Sequence, residues 1–336
     1  LPENDQDIVL LKSDGIPTYH FAHIIDDHFM GTTHVVRGEE WLATLNIHLQ
    51  LFRTMGWKAP KYVHTAQLMK MDGGSKRKLS KRKDPELALD FYNAEGYPVP
   101  SVLEYLMTLL NSNFEDWRLA NPTAPMNDFP FTTKKMGNSG SLFDIDKLKD
   151  VSKNTISVMS ADEVYNEVTA WAKDFDEQLY RLMTEDEQKA KAILAIGRGG
   201  AKPRKDIAIW SEVKDYLAFF YDELYVPAAQ YPDNLSKEDT LEILTRYQKL
   251  YSPADDGETW FNKVRQMGEE LGFAGKPKDY KKNPDQFKGH VGDVSQVIRL
   301  AITGRTNSPD LCSVMQILGE QTCQQRLAEA IETVSR

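Results

Sequence analysis

Apolar residues along the first 65 positions change period several times, and each change marks an expected element. Ile8-Val9-Leu10-Leu11 is an unbroken apolar run of strand length. Asp14-Gly15 predicts a turn, Pro17 suits a first helical turn, and Phe21, Ile24, Ile25 and Phe29 recur at helical spacing up to Gly31. Thr33 to Arg37 reads as a short strand, Glu39 to Met55 as an amphipathic helix closed by Gly56, and Lys61 to Thr65 as a further strand. Strand, helix, strand, helix, strand predicts a parallel α/β sheet, whose ligands sit beyond the carboxyl ends of the strands. Tyr19, Arg37 and the segment after residue 65 fall near such ends.

Past Asp84-Pro85 the pattern turns helical, most clearly over Glu86 to Ala94 and Val99 to Leu110. Residues 111–141, rich in Asn, Pro, Gly and Ser, read as a long excursion, and Phe143 to Asp146 resumes the helical pattern. From about residue 155 the periodicity is helical almost throughout, interrupted at 197–203, 227–232 and 275–292. Two helical subdomains are expected there, so the fold class is α/β followed by all-α.

Composition narrows the function classes. The 336 residues are 41% hydrophobic, enough for two or three packed domains without disulfide or metal staples. Cys312 and Cys323, the only cysteines, lie in a helical segment and read as buried thiols of a reducing compartment, with no zinc motif. No apolar run of membrane-spanning length and no signal segment stands out, so a cytoplasmic location without a membrane partner is expected. The chain opens at Leu1-Pro2 without Met, as a fragment would. A formal charge of -9 argues against indiscriminate nucleic-acid binding, yet six of the eight residues from Lys76 to Lys83 are cationic. A run of that kind is usually a solvated loop, and its neighbours must decide whether it meets phosphate.

Six of the seven histidines, His20, His23, His28, His34, His48 and His64, fall in the first 64 residues, with Asp26-Asp27 among them. His20 and His23 would share a helix face, but no metal signature accompanies them, and they read as polar or packing residues. Ser80 lacks a Gly-x-Ser-x-Gly context, and neither a Walker loop nor a dinucleotide fingerprint is present. Glu39 and Glu40 are adjacent and point apart on a helix, so they form no carboxylate dyad. Arg37, at a strand end before a helix, could pair bidentately with a carboxylate.

Lys78-Leu79-Ser80-Lys81-Arg82 resembles the Lys-Met-Ser-Lys-Ser loop of class I aminoacyl-tRNA synthetases, in the form ending in arginine. Before it stand Asp14 to Ala22, Asp26 to Gly31 and Arg37-Gly38-Glu39-Glu40-Trp41-Leu42, in the order and spacing of bacterial-type glutamyl-tRNA synthetases. Gly289 to Val294, Arg299 to Gly304 and Ser308-Pro309-Asp310-Leu311 resemble that family's helical anticodon-binding region. The resemblance spans nearly the whole chain, most loosely over 111–141 and 160–280. It implies the second half of a parallel-sheet nucleotide-binding fold over 1–70 and a signature loop with a stem-contact region over 71–157. Helical anticodon-binding subdomains would follow over 158–275 and 276–336.

The resemblance also implies chemistry. A glutamate–tRNA ligase activates glutamate with ATP to an aminoacyl-adenylate and transfers it to tRNA(Glu). Negative charge gathers on phosphate oxygens in the transition state, and Lys78 and Lys81 on a mobile loop would meet it, Lys81 foremost. Ser80 belongs to the same ATP set, with Glu40 and Trp41 beside the nucleotide and Leu68 and Met69 near adenine. Mg²⁺ would arrive with ATP and needs no dedicated protein cage. Tyr19 and Arg37 match glutamate-binding positions, and His23 falls where relatives can carry asparagine. Arg299, Ser308, Pro309 and Leu311 match positions that touch anticodon bases, and Arg204 with Lys205 forms a further basic spot for the third base.

Nowhere in the 336 residues is there a His-x-Gly-His motif, which such enzymes use to bind ATP. The expectation is therefore a carboxyl-terminal portion, monomeric and inactive alone in adenylate formation. The alternative is a noncatalytic tRNA-binding or assembly module derived from a synthetase, opposed by the retained signature loop. A shortened relative that modifies a tRNA base would lack the long helical half, and a glutaminyl enzyme would end in β-barrels. Whether tRNA(Gln) is also a substrate stays open at this level.

Overall fold

The computed structural model describes residues 4–137 and 140–336; residues 1–3 and positions 138–139 of the 111–141 excursion lie outside the described residues. The chain forms two compact units, one of residues 1–93 and 99–151, the other of 94–98 and 152–336.

In the first unit, helix α1 (Tyr19–Phe29) leads to strand β1 (His34–Gly38), a 3-10 segment (Glu39–Thr44) and helix α2 (Leu45–Thr54). Strand β2 (Lys61–Thr65) pairs parallel with β1 in the register Arg37 opposite His64 and Gly38 opposite Thr65. Gly31 and Gly56, both at positive φ, end the two helices as their positions in the pattern predict. Three expectations are corrected here. Ile8 to Leu11 is not a strand: Val9 and Leu11 are exposed, and the segment folds back through Thr18 N–H to Leu10 O at 2.8 Å and Lys12 N–H to Ile16 O at 2.9 Å. The parallel sheet thus has two strands, not three. Glu39 to Met55 is a 3-10 segment followed by an α-helix, not one continuous helix.

The basic run differs as well. Strand β3 (Leu68–Asp72) turns through Gly73-Gly74 into strand β4 (Ser75–Lys78), antiparallel, so the first three of the eight residues of the expected loop lie in a hairpin strand. Gly73 and Gly74 have φ of 55° and 88°, as a two-residue hairpin turn requires. After a 3-10 turn at Pro85–Leu87 come helices α3 (Leu89–Glu95), α4 (Val99–Leu110) and α5 (Phe114–Ala120). A short strand β5 (Ser141–Leu142) joins β3 in parallel before helix α6 (Ile145–Ser157). Tyr105 in α4, 1% exposed, packs edge-on against Phe143 and accepts the Asp144 N–H through its hydroxyl at 2.6 Å. The excursion is itself packed, with Phe114, Trp117 and Phe129 in mutual contact and Arg118 over the Trp117 ring.

The second unit is helical: α7 (Ala161–Phe175), α8 (Glu177–Glu185), α9 (Glu187–Ala195), α10 (Val213–Leu217), α11 (Lys237–Leu250), α12 (Gly257–Glu270), α13 (Pro277–Lys282), α14 (Val291–Thr303), α15 (Leu311–Leu318) and α16 (Glu320–Ser335). One apolar cluster runs from Ile156 to Ala330, with α14 at its centre. Ser160 and Glu163 form a reciprocal capping box at the start of α7, and Gly304 closes α14 in the left-handed region. Buried Arg326 ties three segments together: Nη1 donates to the carbonyls of Phe219 and Ile302, each at 2.8 Å, while the guanidinium lies 3.6 Å from the Tyr225 ring centre.

Candidate ligand site at the carboxyl ends of the parallel strands

The register of β1 and β2 sets Arg37 and His64 side by side near the strand ends, where an open parallel sheet presents its ligand crevice. Arg37 Nε donates to His64 Nε2 at 3.2 Å, Nη1 lies 3.0 Å from His48 Nδ1, and Nη2 donates to the Trp41 carbonyl at 3.4 Å. Tyr62 lies beneath the guanidinium, 4.9 Å from it, and Trp41 flanks it at 5.8 Å. A guanidinium carries five N–H donors, so about two remain open, one on each Nη, the number a bidentate carboxylate takes. Among the described residues Arg37 has no carboxylate partner. Its three acceptors are neutral, and its charge stays available.

Helix α1 supplies the facing wall. Tyr19 opens the helix, stacks on His23 at 5.6 Å and meets the Trp41 ring at 4.4 Å. His23 is held from both sides, Nε2 being 3.1 Å from the Tyr62 hydroxyl and Nδ1 2.9 Å from Asp27 Oδ2. Burial pulls the His23 pKa down, aided by Arg37 and opposed by the Asp27 carboxylate. Tyr19, His23, Arg37 and Trp41 therefore converge. His48 and His64, read from sequence as packing residues, and Tyr62, not singled out, belong to the same cluster. Burial raises the Tyr62 pKa to about 12, and it lowers His64 with help from Arg37. His64 could have been found by laying the two strands in parallel register. His48 carries no local signal, because α2 reaches the cluster only in three dimensions. Among the described residues no group of three or more His, Cys, Asp or Glu side chains is arranged to hold a metal ion.

The hairpin brings the nucleotide candidates together. Lys78 stands opposite Met69 in the β3–β4 ladder, and its Nζ is 4.0 Å from Glu40 Oε1. Leu68 O accepts the Leu79 N–H at 3.0 Å, and Leu79, 4% exposed, anchors the segment in the core. Gly38 lets Glu40 fold back, because a Cβ there would sit 2.0 Å from the carboxylate. Arg77 is otherwise engaged: Nε donates to Asp72 at 2.6 Å, and Nη1 and Nη2 donate to the two Asp84 oxygens at 2.6 and 2.8 Å. Asp84 also accepts the Ser80 N–H at 2.8 Å, and these bonds, Arg77's first, hold its carboxyl well below the usual range. Arg77 is thus a brace. Lys78, Lys81, Arg82 and Lys83 remain exposed, and the segment after β4 is a turn tied down at Leu79 and Ser80.

In the second unit, Arg299 Nη1 donates to the carbonyls of Ser308 and Pro309 at 3.3 and 3.2 Å and contacts Ser308 Oγ. Arg204 comes near enough that the two guanidinium groups repel: burial lowers the Arg299 pKa, and Arg204 lowers it further. Ser308 and Leu311 are 6% and 2% exposed, and Pro309 is buried too. Their side chains are thus largely withdrawn from the surface, and they shape the turn that Arg299 grips. Arg204 itself pairs with Asp206 at 2.5 and 3.0 Å.

Comparison with known proteins adds the class. Residues 2–150 match the family described as tRNA synthetases class I (E and Q), catalytic domain, and residues 280–331 match an anticodon binding domain. A glutamate–tRNA ligase of Acetivibrio thermocellus is 53% identical over 96% of this chain, and one of Clostridium beijerinckii is 49% identical over 97%. The chain belongs to the glutamate–tRNA ligase family of class I tRNA synthetases. It spans 59% and 60% of the length of those two relatives. A crystal structure of a glutamate tRNA ligase from Elizabethkingia meningosepticum in complex with its amino acid shares the fold, with a TM-score of 0.68 at 24% identity, over 97% of this chain and 62% of that one. No helix among the described residues is long and apolar enough to cross a membrane.

Proposed function

We propose that this chain carries the signature-loop side of a glutamate-activating site and the tRNA-binding body of a glutamate–tRNA ligase. The observation that carries the reading is Arg37, a fixed and charge-uncompensated guanidinium with open donors between Tyr19 and Trp41. Arg37 binds a carboxylate of glutamate, with Tyr19 and His23 lining the same pocket. In the reaction a glutamate carboxylate oxygen attacks the α-phosphorus of ATP, the bond to the β-phosphate oxygen breaks, and pyrophosphate leaves. Lys81 and Lys78 neutralise charge on the phosphate oxygens as that bond breaks. Glu40, Trp41, Leu68, Met69 and Ser80 surround the nucleotide, and Mg²⁺ enters as part of the ATP complex.

The sequence-level division at residues 70, 157 and 275 serves as the functional division in this reading. Arg299 and Arg204 face the anticodon of tRNA(Glu), supported by the buried turn at Ser308, Pro309 and Leu311, and the protein acts as a cytoplasmic monomer. The test is filter binding of labelled tRNA(Glu), tRNA(Gln) and an unrelated tRNA to the purified chain. A preference for tRNA(Glu) is expected, weakened by about tenfold in Arg299→Ala. Equal binding of all three would sink the tRNA assignment, and comparable tight binding of tRNA(Gln) would mark a relaxed enzyme.

A further inference from the structure

His48 lies at the centre of the Arg37 cluster, with none of its surface exposed, and every polar atom of its ring is committed. A guanidinium can only donate, so the 3.0 Å contact with Arg37 Nη1 makes His48 Nδ1 an acceptor, without a proton. The neutral ring then carries its proton on Nε2, which points at His20 Nδ1 at 3.0 Å. His20 must in turn hold its proton on Nε2, and His64, accepting from Arg37 Nε, must hold its own on Nδ1. The hydrogen-bond network assigns all three tautomers. Two neutral imidazoles thus take two donors of Arg37 without cancelling its charge. Arg77 shows the opposite arrangement in the same unit, with Asp72 and Asp84 cancelling its charge.

We propose that His48 is a positioning and specificity residue: it locks Arg37 in place as an uncompensated cation and so makes the pocket select a carboxylate over an amide. This rests on the reading of Arg37 as the glutamate receptor and deepens it. A carboxylate at position 48 would grip Arg37 equally well but neutralise it, and the pocket would lose its reason to prefer glutamate to glutamine. Protonation of His48 would break the lock, since an imidazolium accepts nothing. Arg37, His20 and His23 around the ring oppose that proton, Tyr19 lies at its edge, and the Asp26 and Asp27 carboxylates, which would favour it, lie beyond His23.

Two measurements on the purified 336-residue chain test this. Two-bond proton–nitrogen NMR of the histidines should show His48 as the Nε2–H tautomer and not titrating between about pH 5 and 8. An Nδ1–H tautomer, or ordinary titration, overturns the lock whatever the chain binds. Titration with L-glutamate and with L-glutamine, followed on the Arg37 Nε–H resonance, should show glutamate preferred. His48→Glu should cost glutamate about tenfold or more in affinity and abolish the preference, while His48→Gln, a neutral acceptor, should keep it. Equal losses in both variants reduce His48 to packing and overturn the proposal. If the wild-type chain shows the stated tautomers but ignores glutamate, the amino-acid reading itself fails and takes the specificity role with it.

Discussion

Burial makes the proton on His48 a folding variable. In the folded chain its pKa is lowered from 6.5 to about 3, by burial first and then by His23 and Arg37. The unfolded chain therefore binds a proton that the folded chain refuses, throughout the window between those values. The contribution is fully favourable above about pH 6.5 and declines by up to about 1.4 kcal/mol per pH unit as pH falls toward 3, where the folded form also protonates. We expect the melting temperature of the wild-type chain to fall more between pH 7 and pH 4 than that of His48→Gln; parallel curves would show that His48 is not the titrating group. Arg326 makes the second prediction at this scale. Its Nη1 satisfies two buried carbonyls, at Phe219 and Ile302, so Arg326→Met should cost about 2–4 kcal/mol in urea unfolding. A change below about 0.5 kcal/mol would place those carbonyls in contact with water.

Among the elements, α14 carries the central helix of the second unit and ends at Gly304, where φ is +70° and an added Cβ would lie 1.9 Å from the Val226 carbonyl oxygen. Strain and collision act together there, so Gly304→Ala should destabilise by about 1–3 kcal/mol. Gly319, at φ +82° with open space around it, is the control and should lose less under the same substitution. Which elements the pattern revealed follows from the same physics. Val99 to Leu110 was readable to the residue because a half-buried helix imposes its own period on the sequence. Ile8 to Leu11 misled because an apolar run records composition, and no neighbouring strand pairs with it among the described residues. The β3–β4 hairpin was legible in principle from Asp72-Gly73-Gly74-Ser75, but its charged strands hid the alternation. Arg37, Tyr19 and His23 were reachable through family resemblance, whereas His48 and Asp84 act through contacts 11 and 7 residues away in sequence that no motif records.

For the whole molecule, the proposed reading divides the chemistry between the two units. With a net charge of -9, the tRNA binding proposed for this chain would have to come not from a general field but from placed cations such as Arg299 and Arg204. In the function proposed for the first unit, the chain's own residues supply one side of an activating site: Arg37 for a carboxylate, Lys78 and Lys81 for phosphate. Binding a reactant from one side can orient it, but rate acceleration requires groups that meet the charge developing at the α-phosphorus and the leaving pyrophosphate together. The 336 residues contain no His-x-Gly-His with which to complete that set. We therefore expect the purified chain to bind tRNA(Glu) and respond to glutamate, yet to show no glutamate-dependent exchange of labelled pyrophosphate into ATP. Exchange well above that of a Lys81→Ala control would show that these residues suffice for adenylate formation and would overturn the division of labour proposed for them.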